Sequence, residues 1–91
     1  MKSKSFFVAK KNYLIRTVTM IYTGEFVGVE GDYILIKNAA WIPETARWEQ
    51  TVKEGKFNEV EPYADNQIVA VNRQACLDIV QVDWKLPREQ K

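Results

Sequence analysis

The sequence predicts an all-β domain with one short helical insertion, its five strands curling into a small barrel. Three observations predict it. Runs of β-branched and aromatic residues recur as YLIRTVTMIY, EFVGV, YILIK, QIVAV and LDIVQVDW, each bounded by turn residues. One stretch, Pro43 to Gly55, carries helix signals instead. The chain has 91 residues, which makes one domain, and a meander of three strands must curl to bury an apolar face.

Residues 1–11 read as a basic N-terminal arm. Phe6, Phe7 and Val8 within it are too apolar to stay in water and are expected to dock on the domain or on a neighbour. Residues 12–40 hold the meander. Its first strand runs from Tyr13 to Tyr22 and Thr23-Gly24 makes a turn. The second strand covers Glu25 to Val29, with Gly28 marking a bend. Glu30-Gly31-Asp32 is a hairpin turn into a third strand, Tyr33 to Lys37. Residues 41–66 form the helical insertion and an acidic loop. Pro43 suits the first turn of a helix, because its missing N–H costs nothing there. Glu44 and Lys53 complement the helix dipole, Glu49 and Lys53 are four apart, and Gly55 supplies the stop. Residues 67–86 hold the last two strands, Gln67 to Val71 and Leu77 to Trp84. A tight turn at 72–75, of 3₁₀ character, joins them. Pro87 ends the order, and 87–91 read as a charged, loose tail.

Composition narrows the functional classes. The chain is 46% hydrophobic and 27% charged, which is globular rather than disordered. No apolar run is long enough to span a bilayer, and Lys10-Lys11 end the Phe6–Ala9 run before it reaches signal-peptide length. The one cysteine, Cys76, cannot form an internal disulfide, so the expected compartment is the cytoplasm, with no membrane partner. Charge is unevenly spread. Five bases and no acid precede Glu25, whereas eleven acids against five bases, a balance of −6, lie between Glu25 and Asp83. Such a bipolar domain suits head-to-tail stacking, or a basic arm for phosphates.

Catalysis is not expected. The chain has no histidine, hence no ready general base at neutral pH and no zinc site. It has no glycine-rich phosphate loop and no nucleophile elbow. Cys76 reads as a structural thiol, and Glu59, Glu61 and Asp65 as solvated loop acids without calcium-loop spacing. The expectation is a non-enzyme with no cofactor and no metal.

The stretch TVTMIYTGEFVGVEGDYILIKNAA, Thr17 to Ala40, resembles the first motif of the Sm-like family of SH3-like small barrels. Gly24, Phe26, Gly28, Glu30, Leu35 and Ala39 stand in its pattern. The stretch IVAVNRQACLDIV resembles the second motif, in which an arginine-bearing turn joins the last two strands, and Asn72-Arg73 occupies that turn. The chain departs from the family where Gly31-Asp32-Tyr33-Ile34 lacks a base-reading asparagine, and where Gln74 replaces the glycine after the arginine. The chain also looks like short bacteriophage proteins.

The resemblance implies a homo-oligomeric ring closed by pairing of the last two strands, with Ile68, Val69, Val71, Ile79, Val80 and Val82 as the interface; a monomer whose insertion helix covers the edge is the competing case. The resemblance also implies a ligand, RNA or a small nucleotide, held by Arg73 and Asn72. Trp41, Arg47 and Trp48 join them as candidates, because aromatics beside arginine stack bases or anchor protein partners. The competing roles are for Trp48 to pin the helix to the barrel and for Trp41 to close the barrel's end. The alternative function is a structural or interaction ring, with another phage or host protein as partner and no nucleic acid.

Overall fold

The computed structural model describes residues 5–91. Lys2 and Lys4 of the expected arm lie outside the described residues. The described residues form six strands and one helix: β1 (Asn12–Thr17), β2 (Ile21–Glu30), β3 (Tyr33–Thr45), α1 (Trp48–Glu54), β4 (Phe57–Pro62), β5 (Val69–Asn72) and β6 (Cys76–Val82). All six strands belong to one antiparallel sheet in the order β4-β3-β2-β1-β6, and β5 adds to β3. The sheet is open, since β5 and β6 do not pair, where the sequence predicts five strands in a barrel. It is curled nonetheless. A single 3₁₀ turn, Arg73–Ala75, carries the chain from β5, on β3, to β6, on β1.

Several boundaries differ from the sequence reading, each for a local reason. The run YLIRTVTMIY is two strands. The Thr17 hydroxyl donates to the Met20 carbonyl (2.7 Å) and accepts from the Met20 amide (3.0 Å), which closes a turn inside a run of strand formers. Thr23 and Gly24, expected in a turn, are buried within β2. β3 runs eight residues past Lys37 and includes Pro43. Its pairing with β4 shifts register between Trp41 and Glu44, so proline sits where a ladder bond is interrupted. The helix therefore begins at Trp48 and not near Pro43. The expected acidic loop contains β4, which buries Phe57 and Val60.

Two apolar clusters make the core. Tyr13, Ile15, Phe26, Ile34, Ile36, Ala39 and Val71 form the first; Leu14, Ala40, Ile42, Phe57, Val60 and Val82 form the second. Successive strand residues face opposite sides of a sheet. Tyr13, Leu14 and Ile15, all fully buried, thus tie β1 into both clusters. The N-terminal arm closes over the first. Phe7 stacks on Phe26 with ring centroids 5.1 Å apart, and the Tyr13 hydroxyl donates to the Phe6 carbonyl and accepts from the Val8 amide, both at 2.8 Å.

The helix closes over the second cluster, and Trp84 rather than Trp48 holds it there. The Trp84 indole N–H donates to the Val52 carbonyl (2.9 Å), and its ring meets Phe57 edge-on. A Cβ on Gly55 would lie 2.6 Å from the Trp84 ring, and Gly55 has φ +71°. Only glycine satisfies both demands there.

The C-terminal residues are anchored, not loose. Arg88 donates to the carbonyls of Tyr63 (2.7 Å) and Ala39 (3.2 Å) and pairs with Asp65 (2.8 Å). Lys91 and Val60 exchange both backbone hydrogen bonds at 2.9 Å, which occupies the outer edge of β4.

Two outcomes follow from this packing. Gly24→Ala places a Cβ 2.8 Å from Cδ1 of the fully buried Ile36. Overpacking of this kind costs about 1–3 kcal/mol, whereas Gly31→Ala meets open space and bears only the left-handed backbone cost, about 1 kcal/mol. Urea unfolding should rank Gly24→Ala as the less stable; the reverse order would contradict this account of β2. Arg88→Ala should lose about 1.5–3 kcal/mol, the range for hydrogen bonds to a charged group, and an unchanged urea midpoint would show that the tail is held by other means.

Candidate functional site

The sequence-predicted ligand residues fall in two neighbouring places. Arg73 and Asn72 sit on the 3₁₀ turn. The Asn72 side chain is engaged, since its Oδ1 accepts from the Gln74 amide at 2.9 Å and caps the turn. The Arg73 amide donates to the Asp32 carbonyl at 2.7 Å, which pins the turn to the β2–β3 hairpin. Its guanidinium is exposed and makes no ion pair among the described residues.

Trp41 lies on β3 and lines a groove of about 380 Å³ with Arg16, Val18, Met20, Pro43 and Leu77. Val18 and Leu77 are 70% and 63% exposed, so the groove carries an apolar rim in water. The Val18 amide donates to the Ala75 carbonyl at 3.0 Å, which puts the Arg73 turn directly beside that rim. Trp48 and Arg47 lie at the start of α1. Arg47 is exposed and makes no side-chain cap bond. Trp48 is also exposed, and its ring carries the Arg16 guanidinium at 5.1 Å from the centroid.

Arg16 thus links the two tryptophans, a role the sequence reading missed. It grips Asp78 through two nitrogens, with Nε to Oδ1 at 3.0 Å. This hydrogen bond and the carboxylate charge raise the Arg16 pKa further. The detectable signal was a pair of opposite charges on two strands, since Arg16 and Asp78 are cross-strand partners. Tyr22 is the cross-strand partner of Trp41, and burial, then the Tyr63 charge, raises its hydroxyl pKa.

The predicted interface residues are divided. Val71 and Val82 are buried in the core, and Val69, Ile79 and Val80 pack against it. Only Ile68, 51% exposed, offers its side chain to a partner. What β5 and β6 leave available is backbone. Each pairs with one strand, so each has an outer edge unpaired among the described residues. Such edges template pairing with another chain.

A second groove, of about 670 Å³, lies where the arm meets the sheet, and Lys10, Lys11 and Lys53 line it. No helix among the described residues is long and apolar enough to cross a membrane. Comparison with protein-family models, with curated proteins and with solved structures finds no match.

Cys76 packs against the first cluster, and burial raises its thiol pKa. A raised pKa leaves less thiolate, the reactive form, at any pH below it. Iodoacetamide at pH 8 should therefore modify Cys76 more slowly than free cysteine, and at the free rate once urea unfolds the chain. A native rate equal to free cysteine would count against a structural thiol.

Proposed function

We propose that this chain is a non-enzymatic module of the cytoplasm that assembles with copies of itself into a ring and binds RNA or a small nucleotide beside Arg73. One observation carries the reading. The unpaired edges of β5 and β6 lie on either side of the Arg73 turn, while Lys91 occupies the outer edge of β4. Pairing β5 of one copy with β6 of the next satisfies both edges and repeats Arg73 at every junction. The curl that brings β5 and β6 to the two ends of one 3₁₀ turn supports a small barrel of the Sm-like type. Trp41 in the groove offers a face for a base, and the unpaired Arg73 guanidinium a partner for phosphate.

The exposed Val18 and Leu77 favour a second reading, in which the ring docks another protein, such as a phage or host partner, and no nucleotide.

Native mass spectrometry tests the assembly. Ala70 and Leu77 are exposed on β5 and β6, so a lysine at either position blunts an edge while sparing the core. Wild-type protein should show a closed oligomer, and Ala70→Lys and Leu77→Lys a monomer. A wild-type monomer, or variants of unchanged oligomeric mass, would sink the strand-pairing model. Arg73→Ala should keep the oligomer and lose RNA bound at its junctions.

A further inference from the structure

Among the described residues five positions have left-handed backbone: Lys10, Gly31, Asn38, Asn66 and Gly55. Glycine or asparagine fills four of them, as the sterics favour. Lys10, at φ +69°, is the exception. Residues held in such strained backbone cluster at functional sites.

The backbone around it is firmly held. The Lys10 amide donates to the Phe26 carbonyl (3.2 Å), the Phe26 amide to the Lys11 carbonyl (2.9 Å), and the Lys11 amide to the Val8 carbonyl (3.2 Å). The arm thus continues along β2 with the Lys10 and Lys11 side chains exposed. Both line the 670 Å³ groove, and Lys53 faces it from the last turn of α1. Lys10 and Lys11 make no ion pair among the described residues, and Lys53 only an exposed one, 3.7 Å from Glu49. Among the described residues Asp83 is the one acid in the lining, so three lysines leave an excess of two positive charges.

We infer that this groove binds vicinal phosphate groups, gripped by Lys10, Lys11 and Lys53. Ammonium groups on flexible stems suit phosphate as point charges, without the planar fork that carboxylates favour. The excess of two charges selects a multiply charged ligand over a single small anion. The volume falls in the range of small-molecule sites and accommodates a diphosphate with an organic group attached. Phosphates of this kind occur free, as pyrophosphate, or in a nucleoside di- or triphosphate. The site is separate from Arg73. The arginine turn precedes β6 and Asp83 follows it, and a seven-residue strand spans roughly 20 Å.

The test is titration calorimetry of the full chain at low salt with pyrophosphate, with ATP, and with a short single-stranded RNA. Lys10→Gly is the informative variant, because glycine keeps the backbone and removes the charge. Pyrophosphate and ATP should bind wild-type protein, and Lys10→Gly, Lys11→Gln and Lys53→Gln should each weaken binding severalfold. Lys10→Gly should do so with an unchanged or raised melting temperature. Asp83→Asn should tighten binding. If RNA alone binds, the protein takes spaced backbone phosphodiesters and not linked phosphates, and the inference is overturned. Arg73→Ala separates the two sites. Phosphate binding lost in Arg73→Ala and kept in the three lysine variants would overturn this inference and leave the Arg73 reading standing. Binding lost in the lysine variants and kept in Arg73→Ala would support it. Absence of binding by any of the ligands at low salt would also overturn it.

Discussion

At Asn38 the backbone turns left-handed, φ 48°, and β3 gains a residue relative to β2: Glu25 pairs with Lys37, but Thr23 pairs with Ala40. An extra residue in one strand reverses which side chains face which side. Before the bulge, Ile34 and Ile36 enter the first cluster; after it, Ala39 does, and Ala40 and Ile42 turn to the second. One strand therefore supplies both cores. It also takes different outer partners along its length, β5 on Tyr33–Ile36 and β4 on Ala40–Thr45. The placement of both outer strands on β3 follows this inversion. Gly24 lies between the two registers and admits no Cβ, because Ile36 fills that space.

The division into two cores explains where polar groups go. Thr23, fully buried, gives its hydroxyl to the Tyr13 carbonyl at 2.9 Å, and buried Thr51 gives its own to the Lys56 carbonyl at 2.8 Å. Among the described residues no buried side-chain nitrogen or oxygen lacks a partner. Unpaired polar groups cost more in a dry interior than in water, so the available hydrogen-bonding capacity gathers at the rim. The rim is where the strand edges, the Arg73 turn and the lysine groove lie.

Much of the β content was legible, because YILIK, QIVAV and LDIVQV are short apolar runs rich in branched residues. The short turn before β6 was legible too, from Asn72 and the polar residues after it. Other features have signals that only a partner resolves. Pro43 fits a helix start as well as a strand bulge, and β4 decides between them. β4 itself buries only Phe57 and Val60, three residues apart, so it shows no alternation. The turn at Thr17–Met20 is built from threonine, a strand former, and rests on one hydroxyl. At the sites, the Arg73 turn could be read from the chain, whereas the groove beside it could not. Val18, Leu77 and Trp41 converge only through the register that sets Thr17 against Cys76 and Tyr22 against Trp41. The basic arm was visible as a run of lysines, but not the backbone geometry that aims Lys10.

The burial of β1 on both faces bears on how the chain reaches this state. Leu14 pairs with Thr23, nine residues away, and with Val80, sixty-six residues away. The first partner forms early and locally; the second waits for nearly the whole chain. Long-range pairings of this kind slow folding, since loop closure precedes the contacts that reward it. Until β6 arrives, the Tyr13-Leu14-Ile15 run has one edge and much of its apolar surface open to water. A partly made chain of this design is therefore prone to associate through β1, the strand that the finished fold conceals most completely.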